Sequence, residues 1–173
     1  MNQRLRESQP EDLPFLREML HEAVFWRAGA DMPSLAEGLV LPEVVRSLEN
    51  WGERAGDTGV VATVGSTPVG AAWYRLWTDD NYIRGYVNQT TPVLVIGVRR
   101  DYRRRGVGGM LIDWLVARAS AHDIQRISLA VSKDNHALRL YRHRGFAEYV
   151  DMGDTILMVR SLETFPGLTR RPH

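Results

Sequence analysis

Val93-Leu94-Val95-Ile96-Gly97-Val98-Arg99-Arg100-Asp101-Tyr102-Arg103-Arg104-Arg105-Gly106-Val107-Gly108-Gly109 is the stretch that decides how this chain is read. Residues 93 to 98 form an apolar run of the length of a buried strand. Val107, Met110, Leu111, Trp114 and Leu115 then recur at helical spacing along one face. A strand, a loop of arginines and glycines, and a helix start together make a grip for an anion. The first N–H groups of a helix lack intrahelical partners, and the helix dipole puts partial positive charge there. Gly106, Gly108 and Gly109 remove side chains that would hold a phosphate away from those amides. The expectation is a phosphorylated cofactor at this loop.

What the loop lacks narrows the choice. A Walker A loop needs a lysine before its serine or threonine, and Lys133 is the only lysine in the chain. A dinucleotide fingerprint starting at Gly106 would find Leu111 at its third glycine. What remains is Arg103-x-x-Gly106-x-Gly108. Further along, Ile127 to Val131 reads as a half-buried strand, followed by Asp134-Asn135-His136-Ala137-Leu138-Arg139-Leu140-Tyr141-Arg142-His143-Arg144-Gly145-Phe146. Asp134 or Asn135 suits a helix N-cap, Ala137, Leu140 and Tyr141 share a face, and Gly145 suits the position after the last turn. The two stretches, over residues 92 to 146, resemble the paired signatures of the GNAT acetyltransferases. Ala137, Leu140, Tyr141, Gly145 and Phe146 fall in register; Asp134 stands where the family has asparagine, with Asn135 one place late.

Composition bounds the rest. At 173 residues and 44% hydrophobic content the chain suits one globular domain with a true core. Formal net charge of +1 argues against a general polyanion binder. The arginine run from Arg99 to Arg105 is broken by Asp101 and ended by glycines, which weighs against an RNA- or DNA-binding module. The absence of cysteine excludes disulfides, thiolate metal sites and a cysteinyl acyl intermediate. No His-Glu-x-x-His pattern occurs among His21, His122, His136, His143 and His173, so no metal is expected. The polar start and the lack of a long apolar run make the cytoplasm the default location, with no membrane partner.

Along the chain, residues 4 to 8 read as a first strand. Pro10-Glu11-Asp12 opens a helix with Leu13, Leu16, Met19, Leu20 and Val24 on its apolar face. Residues 27 to 41 read as a loop with a helical turn at 34 to 38, and 42 to 52 as a short helix closed by Gly52. A hairpin follows, 59 to 64 and 69 to 77 about a turn at 65 to 68. A last strand pair covers 146 to 150 and 155 to 160. The expected fold is α+β of the three-layer type, a GNAT-like mixed, mostly antiparallel sheet flanked by helices. One domain spans residues 1 to 163, with a tail at 164 to 173.

The resemblance implies an acetyl-CoA-dependent N-acetyltransferase. In that family the sheet splits between its fourth and fifth strands and acetyl-CoA enters the wedge. Carried over, the backbone of Ile96, Gly97 and Val98 faces the pantetheine arm, with the Val98 N–H as oxyanion donor. The amides of Arg104, Arg105, Gly106, Val107, Gly108 and Gly109 meet the pyrophosphate, flanked by Arg103 or by Arg99 and Arg100. Asn135 bonds the pantetheine amides, and Tyr141 is the general acid for the departing thiolate. The usual strand glutamate is missing, because Val93 occupies its place; either a water chain carries the amine's proton to solvent or an acid from another segment takes it, with Asp79, Asp80 and Glu148 the acids to test. Trp77, Asp79, Asp80 and Tyr82 are expected at the acceptor, a primary amine of a small molecule or peptide, and Trp26, Trp73 and Tyr86 lie in segments that would line its cleft. A non-catalytic acetyl-CoA sensor or scaffold domain is the rival reading, and a homodimer remains open.

Overall fold

Two apolar faces on one sheet organise the molecule. The computed structural model describes residues 2–27 and 32–162. Its strands are β1 (Gln3–Glu7), β2 (Thr58–Val64), β3 (Thr67–Arg75), β4 (Val93–Val98), β5 (Arg126–Ser132), β6 (Ala147–Asp151) and β7 (Thr155–Ser161). They lie in the order β1-β2-β3-β4-β5-β7-β6, antiparallel throughout except for β4 beside β5. Helices α1 (Leu13–Val24), α2 (Leu35–Gly38) and α3 (Pro42–Leu48) precede β2, α4 (Val107–Ala121) joins β4 to β5, and α5 (Ala137–His143) follows β5.

Strand alternation sorts the core. Val61, Ala71 and Trp73 pack with Leu16, Met19, Leu20, Val44 and Leu48 beneath α1 and α3. Val60, Ala62, Ala72, Tyr74 and Leu94 point to the other face, under Leu111, Ile112 and Leu115 of α4. Helix α1 sits directly on β4: a Cβ at Gly97 would fall on the Met19 carbonyl. Arg75, 1% exposed, binds Asp57 at 2.8 Å and donates to the carbonyls of Ser47 and Glu49, tying β3 to the end of α3. No helix among the described residues is long and apolar enough to cross a membrane.

The expected elements are present, with shifted ends. Pro10–Asp12 form a 3-10 turn before α1, whose Val24 is 44% exposed rather than facing the core. Helix α3 stops at Leu48, short of Gly52. Strand β3 stops at Arg75, and Trp77 beyond it is buried outside any strand. Phe146 precedes β6 rather than starting it. The expected tail at 164 to 173 lies outside the described residues.

β4 and β5 share one register pair, Val93 with Ser128, where the Ser128 N–H donates to the Pro92 carbonyl at 3.0 Å. Beyond that rung the strands part. Strand peptides alternate in direction, and the Arg99 N–H bonds the Val69 carbonyl toward β3 at 2.9 Å. The odd-numbered peptides of β4 therefore serve the β3 ladder, while those of Leu94, Ile96 and Val98 turn toward β5 and the gap. The segment 83–85 crosses the closed end of that gap. The Ser128 hydroxyl donates to the Gly85 carbonyl at 2.6 Å, and a Cβ at Gly85 would stand 2.8 Å from Val93 and 3.1 Å from the Ala130 nitrogen.

Candidate active site

The gap widens into a cavity of about 760 Å3. One wall carries Leu94 to Val98, Tyr102, Arg103, Arg104, Gly106 and Gly108; the opposite wall carries Leu129 to Ser132, Asn135 to Ala137, Leu140 and Tyr141. Gly106 caps α4 at φ +82, a left-handed conformation that glycine takes without steric cost. The first intrahelical bond runs from Met110 N–H to the Gly106 carbonyl at 3.2 Å, so the Val107, Gly108 and Gly109 amides precede the helix ladder. Gly108 borders the cavity, and a Cβ there would come within 3.0 Å of Leu140. The side chain of Val107 is in the core, and Gly109 packs under Arg144.

The arginines of the loop divide. Arg99 pairs with Glu18 at 2.8 Å and donates to the Pro68 carbonyl. Arg103 donates to the Val98 carbonyl at 3.0 Å and pairs with Glu22 at 2.7 Å; burial lowers its pKa, partly offset by Glu22. Arg100 stands 3.7 Å from the same Glu22. Helix α1 thus neutralises much of the run. Arg104 lines the cavity and forms no ion pair among the described residues. Arg105 stacks on Tyr102 at 5.6 Å, and the cavity does not reach it.

Tyr141 is placed by the way α5 ends. Gly145, at φ +83, directs its N–H to Arg142, and the Phe146 N–H returns to the Tyr141 carbonyl at 3.0 Å, a Schellman cap. The Phe146 ring then meets the Tyr141 ring edge-on at 6.0 Å. Tyr141 is 8% exposed, and burial alone raises its phenol above the ordinary value. At the other end of α5 the N-cap position falls on His136, and the Asn135 Oδ1, one residue outside it, accepts from the Ala137 N–H at 2.9 Å; Asn135 also borders the cavity. Asp134 instead pairs with Arg27 at 2.8 Å, linking the two walls; Arg27 lies over Trp26, which meets His136 edge-on.

The residues expected at the acceptor are not brought to this cavity. Trp77 is buried between Arg54 and Arg75. Asp79 accepts from the Tyr86 hydroxyl at 2.5 Å and from Gln89, bonds that lower its pKa and make it a weak base. Tyr82 stacks on Tyr86, and Asp80 is exposed. Trp73 lies in the core under α1. Glu148 pairs with Arg142 on the surface. Of the aromatics proposed, Trp26 reaches the lining. The carboxylates that do so are Glu22 and Glu43, joined by Ser47, Ile83 and Arg84. Sequence reasoning missed these; the Gly85 contact that steers Ile83 and Arg84 across the sheet leaves no local signal. No group of three histidines or acids is arranged for a metal among the described residues.

The sequence pattern of the acetyltransferase (GNAT) family matches residues 18–146. The chain belongs to the GNAT acetyltransferase family. It is an acyltransferase by that membership. No curated protein matches it in sequence. Among solved structures it is similar to a GNAT superfamily phosphinothricin acetyltransferase from Sinorhizobium meliloti in complex with AcCoA, with a TM-score of 0.67 and 21% identity over 100% of this chain and 94% of that one. It is also similar to a PaiA N-acetyltransferase from Thermoplasma acidophilum in complex with coenzyme A, with a TM-score of 0.66 and 18% identity over 93% and 99% of the two chains. A third is the ribosomal-protein-S18-alanine N-acetyltransferase of Escherichia coli, with a TM-score of 0.65 and 20% identity over 97% and 98%. At such identities the likeness concerns the fold, a mostly antiparallel sheet flanked by helices.

Proposed function

We propose that this GNAT chain transfers an acetyl group from acetyl-CoA to a primary amine by direct attack. The observation that carries the reading is the cavity where three features meet: the parted β4 and β5, the N-terminus of α4 and the buried Tyr141. The α4 amides and Arg104 receive the pyrophosphate, where unpaired N–H groups and a cation suit an anion. The peptides of Ile96 and Val98 face the pantetheine arm in place of the missing strand partner, and Asn135 borders it from the other wall.

Three chemical tasks follow. The amine nitrogen bonds to the thioester carbon, and the Val98 N–H stabilises the oxyanion that forms. The C–S bond breaks as the carbonyl returns, and Tyr141 gives its proton to the departing sulfur. The amine's own proton leaves through water or through Glu43, a carboxylate on the cavity wall with no ion-pair partner among the described residues. Bound acetyl-CoA without transfer remains the rival, and turnover decides between them.

The test is calorimetry of acetyl-CoA with the natural chain and with Gly108→Val, whose side chain would crowd both Leu140 and the ligand. Affinity should fall by about 2 kcal/mol or more, the scale of lost charge-assisted hydrogen bonds. Unchanged affinity in a variant with unchanged melting temperature would remove the α4 amides from the site.

A further inference from the structure

We infer that the acceptor is a small zwitterion of the amino-acid type, whose anionic group is received by Arg84 while Glu43 faces its ammonium. This deepens the transferase reading above and rests on it. Arg84 stands on the segment that crosses the closed end of the gap, next to Gly85, which the Ser128 hydroxyl pins. It lines the main cavity and also a recess of about 220 Å3 formed with Met152, Asp154 and Thr155. Among the described residues it makes no ion pair. Asp154, the acid of that recess, is engaged by the Thr155 hydroxyl at 3.1 Å and leaves the guanidinium unpaired.

The other arginines on the lining differ. Arg27 and Arg103 are held by Asp134 and Glu22, and Arg104 sits beside the α4 N-terminus. Arg84 is therefore the cation open to an acceptor. A second observation lies on α3, which Arg46 ties to the Tyr82 carbonyl of the same segment at 2.9 Å. Ser47 is 3% exposed, lines the cavity, and its hydroxyl has no hydrogen-bond partner. Buried hydroxyls are normally paired, so a ligand group at this wall would satisfy it. Glu43 lies one helical turn before Ser47 and also faces the cavity. One cation, one anion and an unsatisfied hydroxyl, set among Val44 and Ile83, complement a molecule with carboxylate, ammonium and a modest apolar side chain. A polyamine would meet Arg84 as a like charge, and the N-terminus of a long peptide lacks an adjacent carboxylate.

The experiment measures acetyl transfer to the standard amino acids, to the α-amides of those that react, and to spermidine and a short peptide. The free acids should be preferred, and Arg84→Gln should raise their KM about tenfold to a hundredfold, the worth of a charged hydrogen-bonded pair. KM for acetyl-CoA and for the amides should stay put. Equal use of acids and amides by the natural chain would overturn the inference, as would an Arg84→Gln effect shared by both. Transfer to spermidine or peptide alone leaves an acetyltransferase with a different acceptor. Acetyl-CoA binding with no transfer to any amine tells against the transferase reading itself.

Discussion

Tyr141, the acid of the proposed reaction, is also a residue of the fold. Its carbonyl closes the cap of α5, its ring leans on Phe146, and the residue lines the cavity. Burial keeps the phenol protonated above its usual value near 10. Two expectations follow from that direction. Activity should climb with pH as the acceptor amine loses its proton, and the alkaline loss due to Tyr141 should begin only above pH 10, because the raised group ionises late. Tyr141→Phe keeps ring and packing, so turnover should fall about 100-fold with acetyl-CoA affinity nearly intact. Steady-state kinetics from about pH 6 to about 10 should therefore show the rise with no alkaline fall due to Tyr141. A variant as fast as the natural chain would assign the proton to water.

Among elements, those bounded by local punctuation were legible in the chain, and those fixed by distant contacts were not. Both strand–loop–helix units announce themselves, one by Gly106 and Gly108 after an apolar run, the other by Asn135 and Gly145 around helical spacing. The Arg99 to Arg103 run looks free in sequence, yet Glu18 and Glu22 of α1 claim it from 81 residues away. Tyr82 and Arg84 are two positions apart, and contacts from distant segments, Ser128 on the Gly85 carbonyl and Arg46 on the Tyr82 carbonyl, hold the stretch that carries Arg84 to the cavity. Arg75 is a third case: nothing near it signals that Asp57 and the carbonyls ending α3 will surround it. Arg75→Ala should cost about 3–5 kcal/mol, because it strands the buried Asp57 charge and unties α3. Thermal unfolding should drop by roughly 6–20 °C for a domain of this size. Adding Asp57→Ala should restore part of the loss; a double variant no better than Arg75→Ala would show that the carbonyl contacts dominate.

At the scale of the whole molecule, the sheet is two half-sheets, β1–β4 and β5-β7-β6, joined at the Val93–Ser128 rung. The alternation of β4 then predicts an alternating exchange pattern. Amide protons of Val95 and Gly97, held by β3, should exchange slowly; those of Ile96 and Val98, facing the gap, should exchange fast. Saturating acetyl-CoA should slow Ile96 and Val98 selectively and raise the melting temperature, as any ligand specific for the folded state must. Uniformly slow exchange along β4 without ligand would mean that the gap is closed in solution.

That single rung has a consequence for how the chain behaves when starved of its cofactor. An unpaired strand margin is a template for foreign strands, and most proteins blunt it with charge or proline. Here the open margin is Leu94-Val95-Ile96-Gly97-Val98, with no charge until Arg99. The pantetheine amides would complete it as a borrowed neighbour. Loading the site would therefore also cover an unpaired apolar edge, so that cofactor binding would protect the fold from foreign strands as well as prepare it for transfer.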